Sequence, residues 1–389
     1  MSHRPARLRI MAIVVAASAA VATAAGSVSA STTAVRAPAA SLAAVIPRLS
    51  LAQLAGQRVI YSYSGLNPPA VLLSLIRQGE AAGVIFFGDN IDPSHLAQIR
   101  GVIRTLEAAN ASRSNPVRAP LLLMTDQEGG AVRRLPGAPV LSEKKSGQSR
   151  NPPPPQAATN AGTGAGQNLR GVGMNVNLAP VLDVFRTPGD FDDQFGRSYS
   201  MNPSVVSRLG ANFIRAQQHV GVAATAKHFP GLGAALARQN TDVQPVTLRL
   251  SKATIRSQDE FPYQAAIAAG VKLVMVSWAV YPSLDSRRPA GLSGLIINGE
   301  LRTRLRFTGV TITDALEAGA LAPFGSTGNR AFLAAGAGMD LILCAAQIPS
   351  QGQAALTSLE NHYRNRTLNQ AAFRAAVARI LALRASLPG

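Results

Sequence analysis

From Leu49 onward the sequence alternates short apolar, largely β-branched runs with longer stretches in which apolar positions recur every three or four residues. Short apolar runs bounded by Gly, Pro or Asp read as buried strands, and the longer periodic stretches as helices laid against them. Strands are predicted at 58–63, 83–87, 120–125, 174–178, 222–226, 273–277, 309–313 and 340–343. Helices are expected between them, at 70–79, 93–109 and 203–219 most distinctly. Eight strands with helices between them, over roughly 340 residues, predict one α/β domain spanning 49–389, a (β/α)8 TIM-type barrel. An open doubly wound sheet is the alternative, but no G-x-G-x-x-G turn follows the first strand. The long connection 141–158, with Lys144, Lys145 and the run Pro152 to Pro155, reads as a surface loop placed near the barrel mouth.

Ahead of the barrel, Arg4, Arg7 and Arg9 precede an Ala/Val-rich run and a small-residue site at Val28-Ser29-Ala30. That layout predicts a secretory signal peptide over 1–30, with a retained membrane anchor as the alternative, and so a secreted or cell-wall-associated protein. Residues 31–48 read as a flexible, Ser/Thr/Ala-rich lead-in. The single cysteine, Cys344, rules out a disulfide framework and reads as core packing. The formal charge of +18 is nearly all arginine, since only five of the 38 basic residues are lysine. Such a surface favours anionic cell-wall polymers as surroundings. Nucleic acid is not expected as a partner, because the arginines are scattered and not interleaved with aromatics.

Barrel sites form where strands end, which turns the polar residues at those positions into candidates. The third strand delivers Asp126 and Glu128, then Arg133 and Arg134; the fourth delivers Asp183, then Arg197. The fifth ends at Ala226, placing Lys227 and His228 at the start of a loop that runs to Asp242, and the seventh ends at Asp314. No Ser/His/Asp triad and no His-x-x-x-His or cysteine cluster is present. Carboxylates among hydrogen-bonding cations suit glycoside cleavage, in which one carboxyl attacks or holds water while another protonates the leaving oxygen. Taken singly, Glu128 and Asp183 each read as a strand-end cap or a solvated surface charge. Trp278, the only tryptophan, is either core or a platform for a sugar face.

Five segments, in order, carry a resemblance: Asp126-Gln127-Glu128-Gly129-Gly130 with Arg134, Asn177 to Val184, Arg197-Ser198-Tyr199-Ser200, Lys227-His228-Phe229-Pro230-Gly231, and Thr313-Asp314-Ala315-Leu316. Together they resemble family 3 glycoside hydrolases, in particular the single-domain β-N-acetylhexosaminidases of bacterial cell-wall turnover. The resemblance implies a (β/α)8 barrel, a retaining mechanism through a glycosyl-aspartate, and no metal or organic cofactor. It implies Asp314 as nucleophile, and Asp126, Arg134, Arg197, Lys227 and His228 as the residues that bind the sugar. The implied substrate is an N-acetylglucosamine-containing glycan such as a peptidoglycan fragment.

One loop departs from that pattern. The similar enzymes take their proton donor from an Asp-Ser-His triplet, with another histidine just after the Pro-Gly turn. Here Leu232 stands at the turn and the loop reads Asn240-Thr241-Asp242, with no histidine between His228 and His362. Either Asp242 is itself the acid/base, which requires its pKa to rise above about 3.9, or the barrel binds cell-wall sugars with impaired chemistry. Arg238 cannot serve, because a guanidinium does not release its proton. A β-glucosidase of the same family is a third reading, less favoured because those enzymes usually take their acid from a further domain.

Overall fold

The computed structural model describes residues 44–388, so the expected signal peptide and its membrane-anchor alternative lie outside the described residues. The expected lead-in is described only from residue 44, and there Ile46–Arg48 forms a 3-10 turn that buries Ile46.

Eight parallel strands form the barrel: β1 Val59–Tyr61, β2 Gly83–Ile85, β3 Leu122–Thr125, β4 Val176–Asn177, β5 Ala223–Phe229, β6 Leu273–Val276, β7 Val310–Thr313 and β8 Ile342–Leu343. Each pairs in parallel with its sequence neighbour from β1 to β7, and β8 pairs with β1. The bridge between Ile312 and Leu341 then brings β8 back to β7 and closes the ring. Helices follow each strand in turn: Ala70–Arg77, Ala97–Asn110, Pro154–Val172, Pro203–His219, Phe261–Ala268, Leu295–Arg304, Thr327–Ala337 and Pro349–Arg364, with Gln370–Ser386 added at the end.

The two-residue period of the strands divides the apolar residues into two cores. Ile60, Leu122, Met124, Leu273, Met275, Val310, Ile312 and Leu343 point into the barrel and pack on one another. Their neighbours Val59, Tyr61, Leu123, Val274, Val276 and Ile342 point outward into the layer beneath the helices. A strand buried on both faces reads as a continuous apolar run, which is why these segments stood out in the sequence. Cys344 is fully buried in the outer layer, as its surroundings predicted.

Two expectations need correction. The segment 141–158 is not a loop throughout: Ser142 caps a short helix, Glu143–Gly147, and Pro154 and Pro155 open the 19-residue helix Pro154–Val172. Proline fits the first turn of a helix, where its missing N–H has no partner to lose. Strand β5 does not stop at Ala226 but continues through Lys227 and His228 to Phe229.

Truncating the fully buried interior residue Ile312 should cost about 2–5 kcal/mol, because a cavity in a closed barrel has little room to collapse. Urea unfolding of Ile312→Ala checks this, and a loss below about 1 kcal/mol would contradict the packing described.

Candidate active site

The polar residues at the C-terminal ends of the strands converge on a cavity of about 350 Å3. Asp126, Arg134, Arg197, Lys227, His228, Asp242 and Asp314 all line it, so every site residue expected from the sequence is brought to one place.

Local structure explains how each arrives. Gly129 and Gly130 both have positive φ, which folds the end of β3 into a tight hairpin, Gln127–Gly129 against Val132–Arg133. A side chain at Gly129 would run into the Leu141 carbonyl. The buried Gln127 amide braces the hairpin by accepting from the Leu135 N–H at 3.0 Å and donating to the carbonyls of Leu135 and Ala138. In this way Asp126 and Arg134 come to face the same cavity, joined by a backbone hydrogen bond of 3.2 Å. The buried Nε of Arg134 has no partner among the described residues, leaving a donor for a ligand.

On β5 the pairing with β6 shifts between Ala226 and Phe229, three residues advancing against two. This bulge re-aims the chain, so the consecutive residues Lys227 and His228 both line the cavity instead of taking opposite faces.

The charges form a chain of alternating sign. Lys227 Nζ lies 2.7 Å from both Asp126 Oδ1 and Glu128 Oε1. Arg197 grips Glu128 with two hydrogen bonds of 2.9 Å and reaches Asp192 Oδ1 at 3.0 Å. His228 Nδ1 lies 2.7 Å from Asp183 Oδ2, while Asp183 Oδ1 accepts backbone N–H groups from His228 and Leu232. Burial alone would raise the Glu128 pKa, but Arg197 and Lys227 outweigh it and hold the group at about 2. Burial likewise opposes the charge on Lys227 and His228, yet their carboxylate partners win and raise both. Burial raises Asp192 to about 7, with the Asp183 charge adding to it and Arg197 opposing it. Glu128 and Asp183 are therefore buried parts of the site's framework, not solvated surface charges or caps.

The donor atoms of Asp183, Asp192 and His228 lie within 4.8 Å of one another, the spacing a metal ion would need. The donor set does not fit one well: His228 Nδ1 is already engaged by Asp183, and the Arg197 guanidinium occupies Asp192. A divalent cation there would also face Arg197 across a buried gap, which favours the hydrogen-bonded network.

Asp314 stands half-buried at the end of β7, its Oδ1 accepting the Ala315 N–H at 2.7 Å. Burial raises its pKa, the Asp242 charge adds to this, and His228 and Lys227 oppose it. The indole N–H of Trp278 donates to the Ala315 carbonyl at 2.9 Å, bracing the same turn from behind. Trp278 is buried and does not line the cavity, so it is core and not a sugar platform.

The loop after β5 is held at both ends. Gly233 packs so closely on the Val184 backbone that no side chain would fit, and the Phe191 N–H donates to the Ala235 carbonyl. Farther on, Gly319 and Ala320 donate backbone N–H groups to Asp242 and Thr241 at 2.7 and 3.0 Å. Those two bonds tie Asp242 to the loop that follows Asp314. Leu232, at the position where similar enzymes carry histidine, is buried and lines the cavity wall. Glu317, which sequence reasoning missed, also lines the cavity; its Oε2 accepts from the Ala345 N–H and the Gln351 amide. Its place three residues beyond Asp314 was the only signal available.

Comparison with known proteins agrees with this geometry. Residues 48–383 match the glycosyl hydrolase family 3 N-terminal domain. The chain is 44% identical over 348 residues to a protein of Arthroderma benhamiae named a secreted glycosyl hydrolase, covering 90% of this chain and 97% of that one. Among solved structures, a family 3 β-N-acetylglucosaminidase from Paenibacillus superposes with a TM-score of 0.80 and 33% identity, over 88% of this chain and 64% of that one. A β-N-acetylhexosaminidase from Beutenbergia cavernae superposes with a TM-score of 0.77 and 29% identity, over 86% of this chain and 98% of that one.

The Glu128 pair has a signed consequence for pH. A carboxyl lowered from 4.5 to about 2 contributes stability that is complete above pH 4.5 and is lost as pH falls toward 2. Glu128→Gln should therefore lose on the order of 3 kcal/mol at pH 7, at 1.36 kcal/mol per pKa unit. Urea unfolding of parent and variant should show the gap narrowing below pH 4.5. A gap that stays constant from pH 7 to about 3 would contradict the ion-pair assignment.

Proposed function

The chain belongs to glycosyl hydrolase family 3, and we propose that it is an exported retaining β-glycosidase that releases β-linked N-acetylglucosamine, with Asp314 as nucleophile and Asp242 as acid/base. The observation that carries this reading is the single cavity in which Asp314 and Asp242 face Asp126, Arg134, Arg197, Lys227 and His228. A carboxylate, an exposed second carboxyl on a neighbouring loop and a wall of charged hydrogen-bonding groups are the parts a double displacement on a pyranose requires.

In the first step the Asp314 carboxylate attacks the anomeric carbon as the glycosidic bond breaks, and Asp242 gives its proton to the leaving oxygen. In the second, Asp242 takes a proton from water, which attacks the anomeric carbon and frees Asp314. Asp126, kept in place by Lys227, accepts from sugar hydroxyls, while Arg134 and His228 donate to sugar oxygens, each charge-assisted bond contributing about 1.5–3 kcal/mol. The backbone bonds from Gly319 and Ala320 to the carbonyls of Asp242 and Thr241 support the role of Asp242, since they keep its loop beside the loop that follows Asp314. Leu232 and Asp242 thus replace a histidine-based donor with a carboxyl on the same loop.

The acetamido preference rests on the names of the Paenibacillus and Beutenbergia cavernae enzymes. Export, and cell-wall glycan as the natural substrate, rest on the N-terminal sequence, the +18 charge and the relative named as secreted. The basic surface would hold the enzyme near anionic wall polymers.

Aryl β-N-acetylglucosaminides test the two roles. Asp314→Asn should lower kcat at least about 10³-fold on every substrate. Asp242→Asn should cost about 10²–10⁴-fold with an alkyl or phenyl leaving group and almost nothing with dinitrophenol, which leaves unprotonated. If Glu317→Gln shows that leaving-group dependence and Asp242→Asn does not, the proton belongs to Glu317. Parent rates from Asp314→Asn would overturn the reading entirely.

A further inference from the structure

A second cavity of about 350 Å3 lies at the opposite, N-terminal end of the barrel. Its position follows from its walls: Arg58 immediately precedes β1, Met339 precedes β8, and Arg302 donates to the carbonyls of Phe307 and Gly309 just ahead of β7. The outer wall is the first half of the helix Gln370–Ser386, including Phe373, Ala375 and Arg379. Nothing in glycoside cleavage uses these residues.

Three guanidiniums, from Arg58, Arg302 and Arg379, line this cavity, and no aspartate or glutamate lines it among the described residues. Their shared counter-ion is Asp340, fully buried behind them. Its carboxylate accepts from Arg302 Nη2 at 2.6 Å and from Arg379 Nη2 at 2.6 Å, and its backbone carbonyl accepts from Arg58 Nε at 3.0 Å. Three positive charges against one negative leave a formal excess of two. A buried charge without a counter-charge is costly, and Arg58 is only 1% exposed. Burial lowers the Arg58 pKa to about 10, with Asp340 opposing that and Arg379 adding to it.

The guanidiniums are also incompletely used. Arg58 donates through Nε and Nη2, and Arg379 through Nε and Nη2, so each keeps an Nη1 with no protein partner among the described residues. Neither nitrogen is fully enclosed, and both side chains line the cavity. Apart from the amides of Asn298 and Asn369, the rest of the wall is small or apolar, with the Phe373 ring stacked 4.2 Å from the Arg58 guanidinium.

We propose that this cavity is a binding site for a phosphate-type oxyanion, held by Arg58 and Arg379. Guanidiniums match tetrahedral oxyanions through paired N–H donors, and a dianion would balance the formal excess of two. Phosphate is either free or the head of a small phosphomonoester whose organic part lies on Phe373 and Met339. Because the site stands on the opposite end of the barrel, it does not depend on the assignment of Asp314 or Asp242.

Titration calorimetry with inorganic phosphate tests this, at constant ionic strength in chloride and with N-acetylglucosamine present to occupy the catalytic cavity. Saturable one-to-one binding is expected, with a melting temperature that rises with phosphate and not with chloride. Arg379→Gln should weaken binding at least tenfold. Ala375→Glu, an exposed position one turn before Arg379, supplies a tethered carboxylate and should abolish the phosphate effect even if Arg379→Gln fails to fold. Both variants should hydrolyse an aryl glycoside at the parent rate. A phosphomonoester that binds more tightly than phosphate assigns the apolar wall to an organic body, and equal affinity assigns the site to the free ion. No saturable binding, or binding unchanged in Ala375→Glu, overturns the proposal.

Discussion

The ammonium of Lys227 between Asp126 and Glu128 is the interaction on which the rest of the site depends. It has little contact with water, so it keeps its charge only because two carboxylates lie 2.7 Å away. Glu128 in turn needs Arg197, Arg197 needs Asp192, and Asp183 beside them fixes His228. Removing one member leaves its neighbour as an uncompensated buried charge, which costs more than the pair contributes. The network is thus kept whole or lost together, and it holds the ends of three strands, β3, β4 and β5, in one arrangement around the cavity.

Among the described residues, the carboxyls assigned to chemistry make no hydrogen bond or ion pair with that network, although Asp314 feels the charges of His228 and Lys227. Asp314 is held by a backbone N–H and braced through the Trp278 indole, while the Asp242 backbone carbonyl accepts one N–H, that of Gly319, from the loop after β7. A charged floor with two carboxyls above it suits an enzyme whose acid must gain and lose a proton in each turnover. Leu232 closes the cavity wall with an apolar side chain while its backbone N–H donates to Asp183.

Much of this was legible in the sequence because strands buried on both faces are continuous apolar runs and strand ends in a barrel carry the site. The barrel followed from that pattern, and the strand ends gave a list of polar candidates that only the resemblance to family 3 enzymes narrowed to seven. What stayed hidden depended on partners distant along the chain. Glu128 and Arg197 are 69 residues apart, so neither position revealed that the other would neutralise it in the interior. The bulge in β5 was invisible because the residues after Ala226 are polar, and polarity there read as the end of the strand. The helix Pro154–Val172 was missed because its buried face is mostly alanine and glycine; Gly162 packs on the Phe213 carbonyl, where a larger side chain would not fit.

The central claim is that the fold sets Asp314 beneath the reactive carbon of a bound pyranose. Trapping the enzyme with a 5-fluoro glycosyl fluoride of N-acetylglucosamine, followed by proteolysis and peptide mass spectrometry, tests it directly. The account predicts one glycosyl adduct, on the peptide that contains Asp314 and on its carboxylate. An adduct on another carboxylate, or turnover with inverted configuration and no adduct, would contradict it.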